Sequence, residues 1–386
     1  MLQILHAFLA CTSDADCSYN GVCKSAACRC EPAWHGPSCE RLSLLPTPAN
    51  AGYRAADAGG ELTSWGGAVL QDEATGVWHM WAAELVGHCD MAFWLGNSQV
   101  VHATADTFLG PYQRREVVHP VFAHEPNVVR APTGEWVMFY TSSPKIPTTT
   151  GPDGEPGGVP CSCAPDGTPH NCSAWRDWSA PLYTYMSWTR DPAGGWSAPV
   201  LIPQANATID TNFAPVIKAD GSLIGLYRDD ACGSSTNLHL VTATDWRRNE
   251  TYRESREPIA GGVVGAGAGV FDGPEDPFVW IDAAGRLHSL FHEWPHPSGP
   301  HAFSADGTDW RWARGGPDPS GNCTEAPCAY TSALELTAGR SVGLSGRERP
   351  HLVFENGTIV GLVNGMCAPG ERSRCWTGLQ RVKTSP

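Results

Sequence analysis

No segment of the chain approaches the ~20 consecutive apolar residues that a membrane span requires, so no transmembrane helix is expected. Runs of Lys or Arg are missing as well. With a formal net charge of −14 the surface should repel nucleic acid and anionic lipid, and neither is an expected partner. The opening segment, residues 1–10, is apolar but short and lacks a basic stretch, which reads as a remnant signal segment. Charged residues are only 17% of the chain against 41% hydrophobic, values that exclude a disordered protein. Its 386 residues leave room for one large domain and one small one.

Cysteine and tryptophan, by contrast, are plentiful. Of 15 Cys, six fall within the first forty residues, which points to an oxidising compartment. Sequons at Asn171, Asn206, Asn249, Asn322 and Asn356 agree, so a secreted or extracellular glycoprotein is expected. The 16 Trp have two uses: their faces suit sugar rings, and their bulk fills layered cores. For any single Trp, core is the preferred reading.

Cys11, Cys17, Cys23, Cys28, Cys30 and Cys39 enclose short polar segments, with one residue between Cys28 and Cys30 and the string Trp34-His35-Gly36 before the last. Cysteine count alone leaves the connectivity open. The pattern resembles an EGF-like domain over residues 11–40, and that resemblance implies the pairs Cys11–Cys23, Cys17–Cys28 and Cys30–Cys39. So small a segment needs such staples, because its apolar core is too slight to hold it. The calcium-binding subtype carries acidic residues ahead of its first Cys; here that stretch is apolar, so no calcium is expected in the module. Its preferred role is a spacer, with protein or matrix contact as the alternative. A Pro/Ala/Gly linker follows over 41–60.

From there one pattern recurs five times, opening at Trp65, Glu125, Asn212, Glu275 and Glu348. Each copy is an apolar strand, a Gly turn (Gly76, Gly134, Gly221, Gly285, Gly357) and a second aromatic-rich strand, which together make a hairpin. Ser/Thr–Asp strings near Asp106, Asp191, Asp245 and Asp306 follow, the last resembling the Asp-box turn of many propellers. Four strands per unit give an all-β fold, a five-bladed β-propeller over 61–386. A two-sheet sandwich would explain the strands but not the recurrence. The long interruption 144–181 carries Cys161, Cys163, Cys172 and His170 and reads as a disulfide-bearing loop before a metal site, so no metal or cofactor is expected. Cys323/Cys328 and Cys367/Cys375 look like local bridges, and Cys89 and Cys232 a pair across blades.

In a propeller the first strand of every blade lines the central channel, so the openings converge: Trp65, His124-Glu125, Asn212, Glu275-Asp276 and Glu348-Arg349. Second-strand ends add Glu84, Arg228-Asp229-Asp230, His292-Glu293 and Asn364. Carboxylates crowded with Arg, His and Trp suit glycosidic chemistry, in which one acid protonates the leaving oxygen and another carboxylate activates water or attacks carbon. On the strings Glu125-Pro-Asn-Val-Val and Gly273-Pro-Glu-Asp-Pro-Phe-Val-Trp280, residues 60–380 resemble the five-bladed superfamily of glycoside hydrolase families 43 and 32. The resemblance implies an Asp base opening the first blade, an Asp in a middle blade that tunes the acid, and a later Glu acid. By that pattern Glu275 is the expected acid, with Asn212 or Asp210 at the middle position. The first blade opens Ser64-Trp65-Gly66-Gly67 without an Asp, so the base is sought among Glu125, Asp229 and Asp276. Trp65, His124, Asn212, Arg228, His292, Glu348 and Arg349 are expected to hold the sugar. Each has a plainer role too: Glu125 and Glu275 as strand starts paired with Arg349 or Arg228, Glu348-Arg349 as a bracing ion pair, His292 as a core residue. The expected function is a glycoside hydrolase-like protein acting on a polysaccharide or oligosaccharide. The alternative is an inactive carbohydrate-binding or adhesion propeller; a phosphorylase using Arg228, Arg349 and His124 ranks third.

Overall fold

The computed structural model describes residues 10–58, 60–143, 182–203, 212–229, 237–255, 273–294, 297–313, 328–370 and 374–385, with short strand pieces at 162–163, 169–170 and 260–261. Five sheets, antiparallel except for the short parallel edge piece Ala260–Gly261 on the fourth, follow one another along the chain and meet through their first strands, forming the five-bladed propeller. The first blade runs outward through Ser64–Gln71, Trp78–Leu85, Ser98–Ala105 and Gln113–His119. The second uses His124–Arg130, Trp136–Ser142, Tyr183–Thr189 and Val200–Leu201, and the third Ala214–Ile217, Leu223–Asp229, Asn237–Ala243 and Arg253–Glu254. Gly273–Ile281, Leu287–Trp294, His301–Ser304 and Asp309–Trp312 build the fourth. The fifth holds Gly346–Glu355, Thr358–Cys367 and Cys375–Arg381.

The sequence pattern explains these strands. Second strands such as Trp78–Leu85 are buried along their whole length because a neighbouring blade covers each face, and they read as continuous apolar runs. Trp81, Trp136 and Trp310 are fully buried in the layers between blades, which is the structural use of tryptophan. At the hairpin tip of the last blade, Asn356 and Gly357 adopt φ of +50° and +75°, the two-residue loop that joins paired Glu355 and Thr358. Asp306 accepts from the backbone N–H of Thr308 and Asp309 and from the Ser304 hydroxyl, which ties its turn. These bonds hold its carboxyl well below the usual range.

The fifth blade is completed from the far end of the chain. Leu44 bridges Val382 and Tyr53 bridges Thr377, both antiparallel, so the stretch read as a linker runs along the last strand. The EGF-like module carries the disulfides Cys11–Cys23, Cys17–Cys28 and Cys30–Cys39. It is no free spacer: Trp34 and Leu42 share one buried cluster with Phe278, Trp280, Leu290, Tyr330 and Leu352 of the last two blades. The physical reason is aromatic surface. Trp34 stacks on Trp280 at 6.3 Å, and Tyr19 sets its edge to Phe303 at 5.1 Å, area that a tethered spacer would leave wet. Cys367–Cys375 is a local bridge, and Cys89 and Cys328 are disulfide-bonded as well. Asn171, Asn206, Asp210, Asp230, Asn322, Cys161, Cys172, Cys232 and Cys323 lie outside the described residues, as do the side chains of Cys163, His170, Asp229 and Glu293. No helix among the described residues is long and apolar enough to cross a membrane.

Candidate functional site at the propeller axis

The first strands of four blades share one irregularity. Pairing runs Trp65 with Ala83 and then skips to Ala68 with Trp81; His124–Thr141 skips to Asn127–Phe139, Glu275–His292 to Phe278–Leu290, and Glu348–Gly365 to His351–Val363. At every skip one residue takes a left-handed backbone: Gly66 (φ +57°), Glu125 (+60°), Asp276 (+51°) and Arg349 (+53°), joined by Asn212 (+36°) in the third blade. For a residue other than Gly that conformation costs about 1–3 kcal/mol and persists only where the surroundings impose it. The bulge turns neighbouring side chains to different depths. Glu275 and Glu348, 16% and 24% exposed, thus belong to a rim, and Gly66, Glu125, Asn212, Asp276 and Arg349 to an inner ring.

The inner ring is closed by its own bonds. Arg349 Nη1 pairs with Glu125 and lies 3.1 Å from Asp276 Oδ1, while the Arg349 backbone N–H donates to Asp276 Oδ2 at 3.1 Å. Asn212 Nδ2 donates to Asp276 Oδ1 at 2.7 Å and to Glu125 Oε2 at 3.0 Å. Glu125 also lies 3.7 Å from His124 Nε2. The blade without a side chain in the ring explains the rest. A Cβ on Gly66 would stand 2.7 Å from Arg349 Cδ, so the stem of that arginine crosses the position where the resemblance expects an Asp base. A carboxylate there would displace the guanidinium that neutralises Glu125 and Asp276.

The rim is less balanced. Glu275 is held between Arg228, at 2.7 Å, and His292 Nδ1, at 3.3 Å. Burial would raise its carboxyl, but Arg228 and His292 outweigh burial and hold it below the usual range. Glu348 is 24% exposed and lies 3.9 Å from His292 Nε2, with no Arg or Lys at ion-pair distance among the described residues. Burial, with the charges of Glu275 and Asp276 adding to it, pushes the Glu348 carboxyl up to about 7 against the opposing pull of His292. His292 itself is raised to about 9, since Glu348 and Glu275 overcome the effect of burial. Asp276 is raised by burial, with Arg349 opposing. One ligand atom each from Asp276, His292 and Glu348 lie within 4.8 Å of one another, close enough to hold a cation between them.

Beneath the inner ring is a cavity of about 30 Å³, lined in part by Gly67, Asn127, Phe213, Phe278 and His351. It has room for about two waters, too little for a sugar ring. Among the remaining sequence candidates, Trp65 lies in the core. It is 4% exposed, packed with Cys367 and Cys375, and a Cβ on Gly365 would meet its ring at 2.5 Å. His124 is buried under Trp94, whose ring stacks on it at 4.8 Å, and bonds to Ser98 Oγ at 2.7 Å. Glu84 is structural: it accepts from Tyr53 and Gln99 and pairs with Arg114. Asp229 ends its strand, and its side chain lies outside the described residues. Trp94 escaped the sequence reading because it lies between the second and third strands of its blade, away from any repeat opening.

Comparison with known proteins bears on both parts. Residues 13–41 match the family model of the Teneurin-like EGF domain. Among solved structures, Zg3597, a family 117 glycoside hydrolase of the marine bacterium Zobellia galactanivorans, aligns with a TM-score of 0.52 at 10% identity, covering 92% of this chain and 91% of that one. The catalytic domain of a family 62 α-L-arabinofuranosidase from Coprinopsis cinerea aligns at TM-score 0.55 and 12% identity, covering 89% and 96%. The propeller shares its fold with these glycoside hydrolases. A thermostable family 43 glycoside hydrolase gives a TM-score of 0.54 at 11% identity, covering 86% and 97%. Such identities speak for the fold of this propeller and leave its chemistry to the residues above. No curated protein matches the chain.

Proposed function

We propose that this chain is an extracellular carbohydrate-active protein that hydrolyses O-glycosyl bonds at the rim of its propeller channel, with Glu348 as general acid and Glu275 as its charged partner. The observation that carries the reading is the divergence of two carboxyl groups placed on either side of His292. One is pushed up to about 7 and the other held below the usual range. Two carboxyls whose environments push them apart are the arrangement that glycoside cleavage needs. Protonated Glu348 gives its proton to the leaving oxygen; ionised Glu275 activates water or attacks the anomeric carbon; His292 stands between them as a charged tether. This exchanges the role that the family pattern gave Glu275, because Arg228 keeps that residue ionised. Asp276 and Glu125 are left to the ring, their oxygens already bonded to Arg349 and Asn212.

The proposal is tested by assaying the purified chain on aryl furanosides, aryl pyranosides and algal or plant polysaccharides beside Glu348→Gln and Glu275→Gln. Hydrolysis that both substitutions abolish supports the assignment; hydrolysis that survives Glu348→Gln removes it. A second reading, binding without cleavage, is favoured by Arg349 filling the first-blade position. Wild-type protein that binds glycans by calorimetry yet cleaves none would establish that one instead.

A further inference from the structure

Five groups form a relay between the EGF-like module and the fourth blade. Asn20 Nδ2 lies 3.0 Å from the Cys39 carbonyl and 3.2 Å from His301 Nδ1. His301 Nε2 is 3.1 Å from His288 Nδ1, and His288 Nε2 is 3.4 Å from Asp282 Oδ2. Both ends can only accept: a backbone carbonyl at one, a carboxylate at the other. The direction of every bond follows. Asn20 spends both amide hydrogens, one on Cys39 and one on His301 Nδ1; His301 must donate from Nε2 to His288 Nδ1; His288 must donate from Nε2 to Asp282. Each imidazole is therefore neutral, with its tautomer fixed. A further proton on either ring sets N–H against N–H, and Asn20 cannot turn its amide over without aiming oxygen at the Cys39 carbonyl.

We infer that this relay is an acid-sensitive latch, which locks the EGF-like module to the propeller at neutral pH and lets it go when an imidazole is protonated. The surroundings offer little to oppose release. His301 is 1% exposed and lies between Trp34, Phe303 and Trp280, which carry no charge to stabilise an imidazolium. The charged groups facing the relay are Asp282 and Arg286, already paired at 2.6 Å, and Glu31, which faces them from the module. Arg286 in turn covers the ring of Tyr19 at 4.2 Å. Burial holds His301 well below 6.5 and lowers His288 in spite of Asp282. A docked state that lowers an imidazole binds fewer protons than the undocked one. Docking is then complete above the ordinary value of about 6.5 and weakens as pH falls below it, about tenfold per pH unit for one imidazole and about a hundredfold for two.

Hydrogen-exchange protection factors of the full chain from pH 7.5 to 4.5 test the latch, since they divide out the intrinsic pH dependence of exchange. Amides of residues 13–41 are expected to lose protection below about pH 6.5 while those of 358–366 keep it. His301→Gln with His288→Gln keeps an acceptor and a donor at each step but cannot titrate, so its protection should stay flat. Wild-type protection constant to pH 4.5, or an unchanged slope in the double variant, overturns the inference. Should that variant misfold, His288→Gln alone serves: one titrating imidazole remains, so the loss of protection per pH unit should fall from about a hundredfold to about tenfold. A slope that stays at the wild-type value overturns the latch equally.

Discussion

Rim and inner ring are adjacent residues of the same strands, yet they live under opposite conditions. One residue inward, Glu125, Asn212, Asp276 and Arg349 are strained in backbone and saturated in hydrogen bonds. One residue outward, Glu275 and Glu348 reach solvent with their charges unevenly matched. Acidity alone therefore does not mark a reactive carboxylate. What sets Glu348 apart is its surroundings: among the described residues it faces only the His292 ring at 3.9 Å, whereas Glu275, Glu125 and Asp276 each pair with an arginine.

The sharpest way to break this comparison is to open the ring. Arg349→Ala leaves Glu125 and Asp276 buried without their counter-charge, and a stability loss of about 3–5 kcal/mol is expected in denaturant unfolding. If Arg349→Ala unfolds at the wild-type midpoint, the ring is not the closed ion cluster described here. Glu348→Gln should do the reverse, leaving the unfolding midpoint near wild type while cutting kcat/KM by about 10²–10⁴-fold.

The same residue gives the pH profile. A carboxyl raised to about 7 is active while protonated, so hydrolysis should hold below that value and fall about tenfold per pH unit above it. A profile that rises with pH through neutrality would show Glu348 working as a base. Gly66→Ala adds a Cβ against Arg349 at a left-handed backbone position, and about 1–3 kcal/mol of destabilisation is expected. The smallest effect belongs to Trp65→Phe: a buried indole touches no ligand, so glycan affinity should change by about twofold or less.

Much of this architecture can be read before any coordinates. Cysteine spacing marks the small module, and the strings at Glu125-Pro126 and Glu275-Asp276-Pro277 mark blade openings, because hairpins at regular intervals leave a periodic trace. Depth leaves none. Glu275 and Asp276 are equally acidic on paper; only the skipped pairing sends one outward and the other inward. Gly66 is plainly visible as a missing carboxylate, but that Arg349 fills the gap depends on two blades meeting across the axis, which no local pattern encodes. The docking of Trp34 on Trp280 was hidden for a similar reason, since an aromatic residue before the last Cys belongs to the module pattern whether or not a partner waits for it.

The bridges Leu44–Val382 and Tyr53–Thr377 have a bearing on how the molecule comes into being. A circle sewn shut by a seam between early and late residues stays open on the ribosome until the late ones have emerged. The first four blades can gather their hairpins in turn, but the axis they surround acquires its final walls only when Cys375–Arg381 arrives to meet a segment made long before. Assembly of the pocket thus waits for Cys375–Arg381, and a chain cut before that strand would carry Glu275 and Glu348 around an axis still open on one side.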